Sequence, residues 1–234
     1  MPEQLTLTGP GGRPLRLAHL TTVDMSLALL LETELAVDVG AGMETFGISS
    51  AGPYVPRVEA LGVRHVPVES LTRSWDVRSD ARAARELLAT LRGLRLDVLH
   101  THNPKTGVLG RLLGRAARIP IVVNTCHGLW YGREDPWLRK AFVFGTESAA
   151  AMFSHAELYQ NATDRHTLRR VVSARRGSVV GNGVDLTRFT ADPSARAAVR
   201  AELGVQRDEL VVGAVGRQVA EKGIAEFHQA ARRL

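Results

Sequence analysis

The sequence has 234 residues, 44% of them hydrophobic and 23% charged, an ordinary balance for a globular protein that buries a core. Its single cysteine, Cys126, excludes an internal disulfide and favours a reducing compartment. The net charge of +6 fits nucleic acid, an anionic bilayer or a phosphorylated substrate as partner, and composition does not choose among them. No aromatic residues are interleaved with the basic ones, as a surface that stacks nucleic-acid bases requires.

No segment has the pattern of a signal peptide or a membrane span. Residues 1–13 form a polar leader, and the apolar run at 26–31 is too short for a signal peptide. No apolar run approaches the ~20 residues that a spanning helix needs. We therefore expect a cytoplasmic protein, with peripheral contact to the inner face of a membrane left open.

Short apolar strands alternate with helices through the first 180 residues. The predicted strands are 15–20, 43–49, 64–68, 97–101, 121–125, 156–160 and 178–180. The predicted helices are 26–36, 53–61, 77–91, 106–117, 136–152 and 164–172. This alternation indicates βαβ units and a parallel, doubly wound sheet.

Two of these helices have a clear apolar face. Asp76 is placed to cap the helix at 77–91. The predicted buried face of that helix is Ala81, Ala84, Leu87, Leu88 and Leu91. The predicted buried face of the helix at 106–117 is Val108, Leu109, Leu112, Leu113 and Ala116.

A domain boundary follows at 181–193, where turn-forming residues are concentrated and no period is visible. We predict a first domain at 1–180, a linker at 181–193 and the start of a second domain at 194–234. The last part contains a helix at 194–203, a buried strand at 209–215 and a helix from 223 onward. One strand cannot make a sheet, so we expect the chain to be cut short within this second domain.

Ligands of open parallel sheets bind beyond the carboxyl ends of the strands. This rule selects polar residues that follow three of the predicted strands of the first domain: His102, Asn103, Lys105, His127 and Asn161. Such side chains supply the hydrogen bonds that a sugar requires.

The histidines allow two interpretations. His100, His102 and His127 could bind a metal ion, but no carboxylate is placed in the sequence to complete the ligand set. A core role for His100 and a loop position for His102 are therefore favoured, whereas ligand contact is favoured for His127. Cys126 beside His127 has no third group to orient the pair, so a small buried residue is the better interpretation.

A third candidate site is Gly216-Arg217-x-x-x-x-Lys222-Gly223, which follows the strand at 209–215. The glycine lets the backbone approach a ligand, and Arg217 and Lys222 could bind a phosphate at the start of the next helix. The pattern is neither a Walker P-loop nor a dinucleotide fingerprint. By spacing alone, a solvated helix start is an open alternative.

Three segments together resemble family 4 of the retaining glycosyltransferases, which have the GT-B fold. They are VLHTHNPKTGVLGRLLGRAARIPIVVNTCHGLW at 98–130, GNGVDLTRF at 181–189 and VGAVGRQVAEKG at 212–223. The stretch at 47–68 also resembles the capsular and exopolysaccharide branch of the family. The resemblance implies a Rossmann-like acceptor-side domain and the first βα unit of a second Rossmann-like, donor-binding domain.

The resemblance also implies roles for single residues. Gly216, Arg217 and Lys222 would bind the donor diphosphate and stabilise charge on the leaving group, so no metal and no further cofactor are expected. His127 would lie near the transferred sugar as the catalytic candidate. His102, Asn103, Lys105 and Asn161 would line the acceptor side. The partners would be a nucleotide-sugar and a saccharide or lipid-linked acceptor, without nucleic acid.

Two departures qualify this implication. Residues 21–26 lack the glycine pair that the family often has after the first strand. The paired-glutamate motif that holds the donor's ribose and sugar is absent, and Glu226 does not replace it. We therefore expect a glycosyltransferase whose chain, as given, is inactive. The alternatives are a non-catalytic acceptor-binding fragment and, more distantly, a basic nucleic-acid binder.

Overall fold

The computed structural model describes residues 7–74, 76–102, 104–131, 135–183, 186, 189–216, 218 and 222–233. The chain divides into two compact units, Met1–Gly181 and Asn182–Leu234. The assignment of the first to an acceptor and the second to a donor stays a prediction.

The first unit is built on a parallel sheet. Among its described residues the strands are β1 Arg16–Val23, β2 Glu44–Ser50, β3 Arg64–Pro67, β4 Val98–His102, β5 Ile121–Cys126, β6 Ala156–Tyr159 and β7 Gly177–Val179. They lie in the order β3-β2-β1-β4-β5-β6-β7, and every neighbouring pair is parallel. The predicted α/β doubly wound fold is confirmed.

Seven helices accompany the strands in the described part of this unit: α1 Asp24–Leu29, α2 Glu32–Gly40, α3 Val55–Glu59, α4 Val77–Leu94, α5 Pro104–Ala116, α6 Trp137–Ala151 and α7 Ala162–Leu168. The predicted helix at 26–36 is wrong in one respect, because it is two helices, α1 and α2. The break allows both pieces to bury apolar side chains: Leu27 and Ala28 from α1, and Leu35 from α2. None of the described helices has the length and apolar character needed to cross a bilayer.

Hydrophobic clusters lie on both faces of the sheet. On one face, Leu27, Leu35 and Val58 pack together from α1, α2 and α3. On the other face, Leu87 and Leu91 of α4 pack with strand residues, among them Ala18, Leu20, Phe46, Ile48 and Leu99. Side chains alternate along a strand, so His19 and His100 point towards the α1–α2 side.

Helix α4 begins as predicted, because Asp76 accepts a hydrogen bond from the Ser79 backbone N–H at 2.8 Å. Its buried residues are Ala83, Leu87 and Leu91, spaced four apart. The predicted face is therefore wrong for Ala81, which is exposed. The helix is rotated so that the 83–87–91 row, and not the row through 81, meets the sheet.

The predicted buried face of α5 is wrong for Leu112 and Ala116, which are exposed, while Leu113 packs against the core. The buried residues are Lys105, Thr106, Gly107, Gly110, Arg111 and Gly114, while Leu112 is exposed. Glycines bring the helix backbone close to the strands. A Cβ added at Gly110 would lie 2.5 Å from Thr101 Cγ2 and 2.6 Å from Leu20 Cδ2. Leu112 beside this row is exposed, whereas Leu113 is half-buried and packs against the core cluster on that face of the sheet.

The described part of the second unit contains two helices, α8 Pro193–Glu202 and α9 Ile224–Ala231. Asp192 caps α8 by accepting from the Ser194 backbone N–H at 2.8 Å. The predicted strand at 209–215 is wrong, because these residues form no strand and are exposed, with Leu210 at 90%. A strand is stabilised by hydrogen bonds to a neighbour, and this segment has no neighbouring strand among the described residues.

Candidate functional site

Four histidines lie together on, or directly after, three adjacent strands. Parallel pairing sets His19 of β1 directly opposite His100 of β4. Strand β4 continues through His102, so His100 and His102 share one face of the sheet. His127 directly follows β5. The interpretation of His102 as a loop residue is therefore wrong, since it is the last residue of its strand and is fully buried.

The rings form a hydrogen-bonded chain that starts at α2. Asp38 Oδ2 lies 2.8 Å from His19 Nε2, and His19 Nδ1 lies 3.0 Å from His102 Nε2. His102 Nδ1 lies 3.0 Å from His127 Nε2. The chain ends at Gln160, whose Nε2 is 2.5 Å from His127 Nδ1.

One set of tautomers satisfies the whole chain. A carboxylate only accepts hydrogen bonds, so His19 carries its proton on Nε2 and donates to Asp38. His19 Nδ1 then accepts from the Nε2–H of His102, and His102 Nδ1 accepts from the Nε2–H of His127. All three rings are neutral in this arrangement, and each N–H points towards Asp38.

A second carboxylate approaches the same cluster. Glu34 lies one helical turn before Asp38 on α2, so both carboxylates face the histidines. Glu34 Oε1 is 3.1 Å from His100 Nδ1, and His100 Nε2 is 2.7 Å from Thr125 Oγ1. The sequence argument that no carboxylate completes the histidine set is therefore wrong.

Burial lowers the pKa of three of the four rings. It lowers the pKa of His100, against the opposing effect of Glu34, and it lowers the pKa of His102 well below the ordinary value. It also lowers the pKa of His127. Burial alone would raise the pKa of Glu34, but the hydrogen bond with His100 outweighs it and lowers that pKa. His100, His102 and His127 are therefore neutral at neutral pH, beside an ionised Glu34.

His127 is the member of this chain that lines a cleft. The cleft is lined by Pro104, Asn124, Thr125, Cys126, His127, Gly128, Trp130 and Glu147. Gly128 adopts a φ of 108°, which a residue with a side chain rarely adopts, and this turn directs the chain away from the strand directly after His127. A half-buried neutral imidazole beside an indole can donate to, or accept from, a sugar hydroxyl. The predicted role of His127 beside the transferred sugar stays a prediction.

Cys126 is confirmed as a small buried residue. Its thiol is free, and burial raises its pKa to about 12. A thiol with such a pKa is protonated at neutral pH and is a poor nucleophile. The chemistry of the cleft therefore belongs to its other polar groups.

The structure gives three predicted acceptor-side residues other contacts. His102 is fully buried behind His127. Lys105 is 3% exposed, forms an ion pair with Asp80 and donates to the Ser74 carbonyl at 2.6 Å. Asn161 caps α7 by accepting from the Asp164 backbone N–H at 2.8 Å. These contacts support structural roles, and acceptor contact by these side chains stays a prediction. Asn103 lies outside the described residues.

Two of the three predicted diphosphate residues lie in the described part of the second unit. Gly216 and Lys222 are both exposed, and a Cβ added at Gly216 would lie 4.0 Å from Lys222 Cγ. Lys222 comes directly before Gly223, which begins α9 with a φ of 65°. The loop thus brings Gly216 and Lys222 together near a helix N-terminus. Arg217 lies outside the described residues.

Sequence reasoning missed His19, Glu34, Asp38 and Gln160. His19 lies within an apolar strand, where a lone histidine is indistinguishable from a core residue. The available signal was a histidine on the first strand together with a His-x-His strand later in the chain. In a doubly wound sheet of this order, the first and fourth strands are neighbours.

Comparisons with known proteins agree with this geometry. Residues 23–183 match the glycosyl transferase 4-like domain family. The chain is 30% identical over 172 residues to a UDP-Gal:alpha-D-GlcNAc-diphosphoundecaprenol alpha-1,3-galactosyltransferase of Escherichia coli, covering 73% of this chain and 44% of that protein. It is 29% identical over 159 residues to a Bacillus subtilis glycosyltransferase named for teichuronic acid biosynthesis, covering 65% and 39% respectively.

A solved structure supports the fold. The sucrose-phosphate synthase of Thermosynechococcus elongatus is similar with a TM-score of 0.72 at 18% identity, covering 94% of this chain and 60% of that one. The chain spans less than half the length of the two curated relatives. The family match covers most of the first unit, including β4, β5 and the loop that carries His127. The chain belongs to the glycosyl transferase 4-like family.

Proposed function

We propose that this chain forms the acceptor-side part of a retaining glycosyltransferase. The enzyme transfers a hexose from a nucleotide-sugar to a saccharide or lipid-linked acceptor in bacterial surface-glycan synthesis. The observation that carries the proposal is the half-buried His127 in a cleft at the carboxyl ends of β4 and β5, within the segment that matches the family. The relative from E. coli, whose name states a diphosphoundecaprenol-linked acceptor, supports the acceptor class and the capsular or exopolysaccharide branch.

In this proposal, His127 binds a hydroxyl of the transferred sugar and Gln160 holds its ring. Lys222 and Arg217 bind the donor diphosphate at the start of α9, where the backbone N–H groups also face an anion. Their positive charge stabilises the leaving diphosphate, so we expect transfer to proceed without Mg²⁺ or Mn²⁺ at that position.

The proposal places the enzyme at the cytoplasmic face of a membrane. Helix α6 supports this placement with three exposed apolar side chains in its first two turns: Trp137, Leu138 and Phe142. Arg139 and Lys140 lie between them in the sequence, a combination that suits contact with an anionic bilayer. A lipid-linked acceptor would be reached from the same surface. Nucleic acid is not among the proposed partners.

The test uses the longest product of the gene that contains this chain. It is incubated with radiolabelled UDP- and GDP-sugars and with polyprenyl-diphosphate-linked saccharides in vesicles. We expect transfer that is unchanged by added Mg²⁺. Replacing His127 by Ala should lower kcat/KM by about 100-fold or more, because an oriented hydrogen-bonding group at the reacting sugar is lost.

His166→Ala is the matched control, since His166 is exposed on α7 and outside the cleft. It should leave transfer unchanged. The alternative function is a non-catalytic acceptor-binding fragment. Acceptor binding without transfer of any offered sugar would favour that alternative, and equal activity of the His127→Ala and His166→Ala variants would refute the role of His127.

A further inference from the structure

Four side chains on β1, α2 and β4 meet the requirements of a transition-metal site. His19, His100, His102 and Glu34 each offer one ligand atom, and these atoms all lie within 4.8 Å of one another. We propose that this cluster binds one divalent transition-metal ion, Zn²⁺ in particular, with three imidazole nitrogens and one carboxylate oxygen as ligands. The site is separate from the proposed diphosphate contacts and does not depend on the transferase proposal.

The separations fit a tetrahedral ion. Zinc–nitrogen bonds of 2.0–2.1 Å imply ligand atoms roughly 3.3 Å apart. His19 Nδ1 is 3.0 Å from His102 Nε2, and Glu34 Oε1 is 3.1 Å from His100 Nδ1 and 4.0 Å from His19 Nδ1. The longest of these must shorten by about 0.7 Å, and the other ligand pairs lie within 4.8 Å, so side-chain shifts of up to about 1.5 Å between ligand atoms would form a regular tetrahedron. Three imidazoles and a carboxylate, without thiolate, are a ligand set that suits zinc.

The outer partners of the ligands strengthen the argument. Histidines that bind zinc almost always place their second ring nitrogen on a hydrogen-bonding partner, which fixes the tautomer and the ring orientation. Here each histidine has one: Asp38 for His19 at 2.8 Å, Thr125 for His100 at 2.7 Å and the His127 ring for His102 at 3.0 Å. This arrangement presents His19 Nδ1, His100 Nδ1 and His102 Nε2 to the ion.

Access and charge also fit. The three histidines are buried, whereas the Glu34 side chain is 41% exposed, so an ion can enter along α2. The Glu34 carboxylate contributes one negative charge at the site, and Asp38 contributes another next to it. Two charges therefore balance the ion in a buried position, where an uncompensated cation would be costly.

Metal binding would redirect the protons of the histidine chain. Without an ion, the Nε2–H of His102 satisfies the contact with His19. A zinc-bound His102 must leave Nε2 unprotonated, so its proton moves to Nδ1 and is donated to His127 Nε2. His127 then carries its own proton on Nδ1 and donates to the amide oxygen of Gln160 after rotation of that amide. The ion would thus set the tautomer of the side chain in the cleft.

The test uses the purified 234-residue chain, stripped with a chelator and titrated with Zn²⁺ alone. We expect one equivalent to bind and to raise the melting temperature by about 5 °C or more. X-ray absorption should show only N and O ligands at about 2.0 Å. Nitrogen-15 NMR should show the His127 proton moving from Nε2 to Nδ1. Co²⁺ should give the intense visible bands of a tetrahedral site.

Matched variants on α2 separate this site from other histidines. Glu34→Gln keeps the shape of the side chain but removes the charged ligand, so zinc affinity should fall at least tenfold while the metal-free melting temperature stays the same. Glu32→Gln, whose side chain pairs with Arg57 on the surface, should bind zinc like the original chain. His100→Gln should also lose binding. Failure to bind one equivalent, or unchanged affinity in both Glu34→Gln and His100→Gln, would overturn the proposal.

Discussion

Arg111 is a charged side chain with 1% of its area exposed, held in the middle of the sheet face that α5 covers. Its guanidinium donates to Glu157 at 2.9 Å, to Glu147 at 2.5 Å and to the Gly107 carbonyl at 2.8 Å. Asn124 supplies a further donor to Glu157 at 2.8 Å. Burial lowers the pKa of Arg111, but the two carboxylates outweigh it and raise that pKa, so the group stays charged. The network ties α5, α6, β5 and β6 together.

Arg111→Met should therefore destabilise the first unit by about 3–5 kcal/mol, because it leaves two buried carboxylates without their counter-charge. Urea unfolding followed by circular dichroism measures the change. Arg115→Met on the exposed side of the same helix is the control and should cost less than about 1 kcal/mol. Combining Arg111→Met with Glu147→Gln and Glu157→Gln should recover part of the loss. A single-variant cost near that of the control would contradict the assigned role of Arg111.

The sequence predicted the roles of some individual residues and missed others. His127 was identified as a candidate site residue because it follows a strand and precedes a glycine. Both features are visible in the neighbouring sequence. Arg111 and His19 were not found, because nothing local distinguishes a buried arginine from one on a solvated helix face. Their roles come from partners 46 and 83 residues away, namely Glu157 and His102. Single-sequence patterns do not identify such partners.

Helix α5 is the element that fits the strands most closely. Gly107, Gly110 and Gly114 form a row that faces β1, β4 and β5. A Cβ at Gly114 would lie 2.8 Å from Leu99 Cδ2, and one at Gly107 would lie 3.0 Å from Asn124 Oδ1. This close approach brings Arg111 into reach of Glu157 on β6. The helix pairs an ionic network with a glycine row in place of an apolar stripe.

Gly110→Ala should destabilise the unit by about 1–3 kcal/mol, since the added methyl would overlap Thr101 and Leu20 and force a shift of the helix. The better helix propensity of alanine offsets part of this cost. Gly93→Ala near the end of α4 is the matched control, because no atom lies within 4 Å of its added Cβ. It should stabilise by about 0.5–1 kcal/mol. If thermal and urea unfolding show that both variants are more stable than the original chain, or that both are less stable, the prediction is wrong.

Elements whose buried residues form a continuous apolar run in the sequence were predicted well. Each of the seven strands of the first unit lies within three residues of its predicted range. The central strands among them are short, buried and largely apolar segments, which sequence patterns identify well. The orientation of the helices was predicted less well. In α5 the half-buried and exposed leucines carry the stronger apolar signal, whereas the fully buried side is mainly glycine and Arg111. Periodicity measures apolar character and cannot register a face that packs by close backbone approach.

The two units differ in how many of their described residues are buried. Every buried residue among those described lies in the first unit, and helices α8 and α9 of the second have none. The exposed segment at 209–215 has the composition of a central strand without a sheet to join. The sequence of this segment thus favours a β-strand. A strand forms only beside a neighbouring strand, however, and the local sequence does not show whether one is present. The stability of the chain should accordingly reside in the first unit.

We therefore predict that a fragment ending at Gly181 unfolds with the same free energy as the whole chain, within about 1 kcal/mol. Urea unfolding is measured for both by circular dichroism and by tryptophan fluorescence, and Trp130 and Trp137 are present in both proteins. The denaturant slope should also be nearly unchanged, because it follows the surface that becomes exposed and the described residues of 182–234 contribute little buried surface.

A second fragment ending at His155 is the control, because it removes β6, α7 and β7 but is otherwise the same first unit. This truncation exposes the edge of β5 and removes Tyr159 and Leu168 from the hydrophobic cluster that they form with Cys126. It also removes Glu157, the ion-pair partner of Arg111. This fragment should lose cooperative unfolding, whereas the one ending at Gly181 keeps it. A loss of more than about 2 kcal/mol in the longer fragment would show that residues after 181 stabilise the sheet, and the stability would then belong to the chain as a whole.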